Sequence, residues 1–153
     1  MKTTVPNILM LIREGRNDPM IREIAIKVIT AADIPWTDYP DVIATIARWV
    51  RQNVRFVEDP KRTDVIFPPL QVLDLGGADC EDQTTLAASL LGSIGLPVNI
   101  VIVSKTGDVW DHIFLRAFYP PDSPTNGLSV DTTIFPPSGR EIRYVDEKVY
   151  EVT

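Results

Sequence analysis

Residues 76–104 restrict the possible folds of this 153-residue chain more than any other stretch. Gly76 and Gly77 allow a tight turn, and Asp79 stands where a helix N-cap belongs. Cys80 then opens a run in which Leu86, Leu90, Leu91 and Ile94 recur at helical spacing, with the small Ala87 and Ala88 between them. Gly95 and Pro97 stop that helix. Residues 98–104 follow as an apolar run, Asn99 apart, of the kind expected for a buried strand. The hydrophobic period therefore changes from helical to extended in the middle of the chain.

Upstream the pattern is helical. Residues 8–13 predict a short helix ended near Gly15. Asn17-Asp18-Pro19 starts a second helix, with proline tolerated in its first turn, and Met20, Ile21, Ile24, Ala25, Val28 and Ile29 form its apolar face. A turn region over 33–40 holds Trp36 and Tyr39. Residues 41–53 form the next helix, with Val42, Ile43, Ile46, Trp49 and Val50 on one side and Arg48 and Arg51 on the other. Residues 54–57 are extended, 58–69 form a charged, proline-bounded loop, and 70–75 make one helical turn. Downstream, 105–108 is a turn, 110–119 a strand that pairs back, 120–127 a proline-rich loop and 128–133 a third strand. Residues 135–139 are another loop, and 142–152 hold one or two further strands. A helical half followed by antiparallel strands is the signature of an α+β fold. Without a repeat or a linker, the expectation is one domain over 1–153.

Composition excludes several functions. A hydrophobic fraction of 44% and a charged fraction of 24% are ordinary for a globular protein, and a net charge of −6 gives a nucleic-acid role no support. One cysteine excludes an internal disulfide, and one cysteine with one histidine cannot build a Cys/His zinc site, so neither metal nor cofactor is expected. No apolar run reaches membrane-spanning length, and residues 1–6 lack the apolar core and cleavage site of a signal peptide. The expected setting is a reducing cytoplasm, with no membrane partner.

The chemistry centres on Cys80. In the first turn of a helix, free N–H groups and the positive end of the dipole favour a thiolate. Asp79, Glu81 and Asp82 oppose that effect, so a cationic partner is expected nearby. A free cysteine is often just a small buried hydrophobe, but this acidic helix start is not a core surface. The sole histidine, His112, falls on the second strand and Asp131 on the third. Packed against the Cys80 helix, those strands would assemble a Cys-His-Asp triad: thiolate nucleophile, imidazole base, orienting carboxylate. Asp111 adjoins His112, but strand alternation sends its side chain to the opposite face, which favours Asp131.

These residues resemble the transglutaminase-like superfamily, which has a papain-like core. The likeness is carried by Gly77-Ala78-Asp79-Cys80-Glu81-Asp82 with the helix after it, by Gly95-Leu96-Pro97-Val98, by Trp110-Asp111-His112-Ile113 and by Val130-Asp131-Thr132. Upstream, the run from Arg48 to Val57 resembles the helix and strand that precede the nucleophile, and the likeness covers about residues 38–135. The resemblance implies a nucleophile helix packed on an antiparallel sheet, with Cys80 as nucleophile, His112 as base and acid, and Asp131 as its orienting carboxylate. It also implies a second oxyanion donor beside the Cys80 N–H, for which Trp49, Asn53 and Gln71 are candidates. Small single-domain members occur in bacteria and bacteriophages. Two functions stay open. One is a thiol enzyme that acts on amide bonds of a protein or peptide through a thioester, as a peptidase, amidase or transglutaminase. The other is a non-catalytic subunit of a larger assembly, for example a virion, that keeps the fold.

Overall fold

The structure, a computed structural model, describes residues 5–58 and 66–153. The element order is α1 (Val5–Arg16), α2 (Pro19–Ala32), α3 (Tyr39–Asn53), β1 (Arg55–Phe56), α4 (Pro69–Leu75), β2 (Gly77–Ala78), α5 (Cys80–Ser93), β3 (Val98–Ser104), β4 (His112–Tyr119), β5 (Asn126–Val130) and β6 (Asp146–Glu151). This is the α+β class, with helices first and an antiparallel sheet after them. Most of the loop expected over 58–69 lies outside the described residues, as do residues 1–4 of the N-terminal segment.

Local chemistry sets the helix ends. Asp18 caps α2 by accepting the Met20 N–H at 2.9 Å, with Pro19 in the first turn. Asp38 caps α3 in the same way through Asp41 N–H. Gly76 ends α4 at a φ of 68°, a left-handed conformation that glycine adopts without a steric penalty.

Helix α5 occupies the centre. Its residues from Asp82 to Leu91 are all buried, so it is enclosed on every side and has no solvent face. The other four helices pack around it, and β4 closes the remaining side. The four-stranded sheet runs β5-β4-β3-β6, antiparallel throughout. Ile100, Ile102, Ile113 and Leu115 face the helices, whereas Val101, Val103 and Phe114 form a second cluster on the far face, covered by Ile142 and Tyr144. Burial on both faces explains the nearly unbroken apolar run of β3. Arg116 pins the covering segment through bonds to both oxygens of Glu141, to Glu147 and to the Tyr144 hydroxyl. Ser129 adds a hydrogen bond to Glu141.

Helix α1 ends one residue past Gly15, close to the expected stop, and the missing Cβ at Gly15 lets the helix lie against α5; a Cβ there would come within 2.8 Å of Ser89 Cβ. Some strand boundaries differ from the sequence expectation. Strand β4 starts at His112 because the Asp111 carboxylate accepts the Lys105 N–H at 3.1 Å and so belongs to the preceding turn. Strand β5 ends at Val130, where the Asp131 N–H turns to the Pro137 carbonyl at 2.9 Å. Residues 142–152 hold one strand, β6.

The α1–α5 contact gives the first prediction. Gly15→Ala forces the two helices apart and lowers stability by about 1–3 kcal/mol, the usual cost of overpacking. Thermal denaturation measures it; an unchanged melting temperature would show that this contact is looser than described.

Candidate active site

The N-terminus of α5 meets the sheet at β4. Asp79 caps the helix, its carboxylate accepting the Asp82 N–H at 3.0 Å, so Cys80 is the first helical residue. The β4–β5 register pairs Leu115 with Val130 and, if continued, would put residue 132 opposite Ile113. Because β5 stops at Val130, that edge of β4 is free for α5. The Ile113 N–H faces the Cys80 sulfur and favours its ionised form. The Ile113 carbonyl accepts the Thr84 hydroxyl at 3.4 Å.

His112 Nε2 lies 2.6 Å from Asp131 Oδ2, with both residues buried. The other Asp131 oxygen, Oδ1, accepts the Thr133 hydroxyl at 2.6 Å and the Thr133 N–H at 3.1 Å. The carboxylate is thus fixed in its plane with one oxygen aimed at the ring. Burial acts to raise its pKa, but the His112 and Thr133 bonds outweigh it and hold Asp131 below the usual carboxylate range. The His112 ring packs near Phe114, with centroids 6.4 Å apart. Among the described residues no hydrogen bond joins the Cys80 sulfur to that ring.

The electrostatics of the thiol differ from the expectation of a favoured thiolate. Burial, then the charges of Asp79 and Glu81, push Cys80 up to about 12, and the Ile113 N–H only partly offsets them. Burial and the acidic neighbours therefore act together to favour the neutral thiol at rest. Asp82 is affected too: burial, assisted by Asp79 and Glu81, raises it to about 7 although it accepts the Phe67 N–H at 2.9 Å.

The other residues singled out lie elsewhere. Asp111 serves the β3–β4 turn. Trp49 lines a groove between α2 and α3. The Asn53 amide donates to the Trp49 carbonyl at 2.8 Å, and Gln71 is exposed on α4. No hydrogen bond among the described residues connects these three to Cys80, His112 or Asp131. The sequence reading overlooked Gln83 and Thr132, which are buried and bonded to each other beside the site. A polar pair, Gln83-Thr84, inside an apolar helix was the available signal. Among the described residues no three His, Cys, Asp or Glu side chains gather as a metal site, and no helix is long and apolar enough to cross a membrane.

The sequence pattern of the transglutaminase-like superfamily matches residues 29–124, more than half of the chain. The chain belongs to that superfamily. The match contains Cys80 and His112, and Asp131 lies beyond it. No curated protein matches the sequence. Solved structures share the fold. A candidate cysteine protease from Cytophaga hutchinsonii superposes with a TM-score of 0.57 at 16% identity, over 74% of this chain and 37% of that one. A candidate protease from Parabacteroides distasonis gives 0.55 at 14% identity, over 90% and 30%. Legionella pneumophila LapG gives 0.53 at 17% identity, over 97% and 76%. The chain thus spans about a third of the length of the first two. At these identities the likeness is one of fold.

Two predictions follow from the charges. Between the ordinary carboxylate range and about 7, folded protein keeps a proton on Asp82 that the unfolded chain has released. The contribution of this group to stability therefore falls as pH rises through that window. Asp82→Asn keeps an acceptor for Phe67 and removes the charge, so its stability relative to wild type should rise from pH 4 to 7 in urea unfolding; parallel curves would contradict this. Asp79→Asn keeps the cap but removes a charge that raises Cys80. Its iodoacetamide alkylation profile should move to lower pH, and an unmoved profile would show that burial alone sets the thiol.

Proposed function

We propose that the protein is a cysteine acyl-transfer enzyme acting on amide bonds of proteins or peptides, with Cys80 as nucleophile, His112 as general base and acid, and Asp131 as the carboxylate that orients the imidazole. The observation that carries this reading is the buried 2.6 Å contact between His112 Nε2 and Asp131 Oδ2, next along β4 to Ile113, whose N–H favours the ionised Cys80 sulfur. The chain's only cysteine opens α5, and its only histidine opens β4.

Asp131 takes Nε2, which leaves Nδ1 for proton transfer. Because the resting group is a thiol, its proton moves to Nδ1 as the sulfur attacks the substrate carbonyl, forming a C–S bond and an oxyanion. The Cys80 N–H, in the first turn where helix N–H groups lack intrahelical partners, is one donor to that oxyanion. Collapse breaks the C–N bond; the imidazolium gives its proton to the leaving amine and a thioester remains. Water or a primary amine then attacks the thioester, His112 takes the proton of the attacking group, and the C–S bond breaks as that proton passes to the departing sulfur, which restores the thiol and the neutral imidazole. Trp49, Asn53 and Gln71 remain the candidates for a second donor, reached only if their side chains turn toward bound substrate.

The second reading, a non-catalytic assembly subunit, is favoured by one observation: a thiol raised to about 12 is inert at rest. One experiment separates the two. The protein is incubated with denatured casein and a fluorescent primary amine. Amine incorporation reports transfer, and new casein N-termini report hydrolysis. Either product, lost in Cys80→Ser, supports the enzyme. Asp131→Asn should reduce it roughly 10³–10⁴-fold with the fold intact, because the amide favours the wrong imidazole tautomer. Neither product from wild type, with Cys80 unlabelled by iodoacetamide until unfolding, would support the subunit.

A further inference from the structure

We propose that Gln83 and Thr132 form a bridge that sets the separation between the Cys80 helix end and the His112–Asp131 pair, so that both are positioning residues for the acyl transfer; this rests on the catalytic reading above. Gln83 is 1% exposed, in the first turns of α5. Its Nε2 donates to the Ala78 carbonyl at 3.1 Å, and its Oε1 accepts the Thr132 hydroxyl at 2.6 Å. Ala78 lies two residues before Cys80, and Thr132 directly follows Asp131. One side chain thus ties the backbone leading into the nucleophile to the backbone leading out of the carboxylate.

A buried amide at this position is costly unless both its ends are bonded, and an aliphatic side chain would pack there without that cost. The bonds made instead do something an aliphatic side chain does not. In continued strand register, Thr132 would lie opposite Ile113, where Thr84 now binds. The bridge to Gln83 holds Thr132 out of that register. Arg51 fixes the same peptide from α3, donating to the Thr132 carbonyl at 3.0 Å, and its guanidinium lies 5.8 Å from the Phe135 ring centre. Three consecutive residues therefore divide the work. Asp131 holds the imidazole, Thr132 anchors the turn to α5, and Thr133 occupies the Asp131 oxygen that does not face the ring. The side-chain hydrogen bonds of Gln83 and Thr132 go to each other and to the Ala78 carbonyl, so they act by fixing where the sulfur and the imidazole stand. Errors well below an ångström between nucleophile and base reduce rates strongly.

The test compares wild type, Gln83→Met, Thr132→Val, the double variant, Thr132→Ser and His112→Ala. The first readout is the rate of Cys80 alkylation by iodoacetamide against pH. The part of that profile removed by His112→Ala is the histidine-dependent component. The second is the downfield proton resonance of the His112–Asp131 hydrogen bond, a single signal because the chain has one histidine. Melting curves show which variants are folded, and Thr132→Val carries the decision if Gln83→Met does not fold. The expected result is about a tenfold or greater loss of the histidine-dependent component in each single variant. The double variant should lose no more than Gln83→Met alone, because one bridge is broken only once. Thr132→Ser, which keeps the hydroxyl, should retain both rate and resonance. Folded Gln83→Met or Thr132→Val with a wild-type profile would overturn the bridge while leaving the triad standing, as would losses that simply add. A wild type with no histidine-dependent component would overturn the triad itself, and the bridge with it, before any bridge variant is compared.

Discussion

The Ile113 peptide is where the two halves of the molecule join. A strand edge left open beside a core must find partners for its N–H and C=O, because burying them unpaired costs about as much as losing the bonds outright. Here the partners come from the helical half: the Thr84 hydroxyl bonds the carbonyl, and the N–H faces the Cys80 sulfur. This fixes the rotation of α5 and the height of its first turn against the sheet. The remaining helices then pack around α5, and the sheet, buried on its inner face, needs a cover on the outer one. Residues 141–147 supply that cover, held by Arg116.

Electrostatics at the same junction pull in two directions. The cap that starts α5 requires an acceptor at position 79, and aspartate provides it together with a full negative charge. That charge, Glu81 and burial all oppose ionisation of the adjacent thiol. The first turn is therefore good architecture and a poor environment for a free thiolate. Under the proposed mechanism the anion exists only while a substrate carbonyl is there to receive it. This also protects the sulfur from adventitious oxidants and alkylating agents, which attack the thiolate.

Much of the fold was legible in the sequence because its signals are local. The caps at Asp18 and Asp79, the stop after α5 and the apolar run of β3 each depend on a few adjacent residues, and each was read in place. The missed features depend on contacts between distant segments. Gly15 reads only as a helix stop, and nothing local shows that it is also where α1 meets α5. Strand β5 reads as continuing to residue 133, because nothing local shows that the Asp131 N–H goes to Pro137. Cys80, His112 and Asp131 were named from residue type and order, and the structure draws His112 and Asp131 into contact. Gln83 and Thr132 carry no sign of a site role in the sequence, since a buried glutamine and an exposed one look identical there until the partner's position is known. The weight of Asp79 and Glu81 against the dipole was visible as a conflict, and only burial decides its outcome.

The enclosure of α5 has a consequence for the motions of the protein. Its backbone from Asp82 to Leu91 has no solvent-facing side. Its amide protons can therefore exchange with solvent only when the shell of helices and the sheet come apart together, which makes this helix part of the slowest-exchanging unit of the molecule. Cys80 sits at the tip of that unit, and its backbone cannot shift without disturbing the core. Under the proposed mechanism, adjustment to different substrates comes from the segments that border the helix end, while the helix itself behaves as a fixed post.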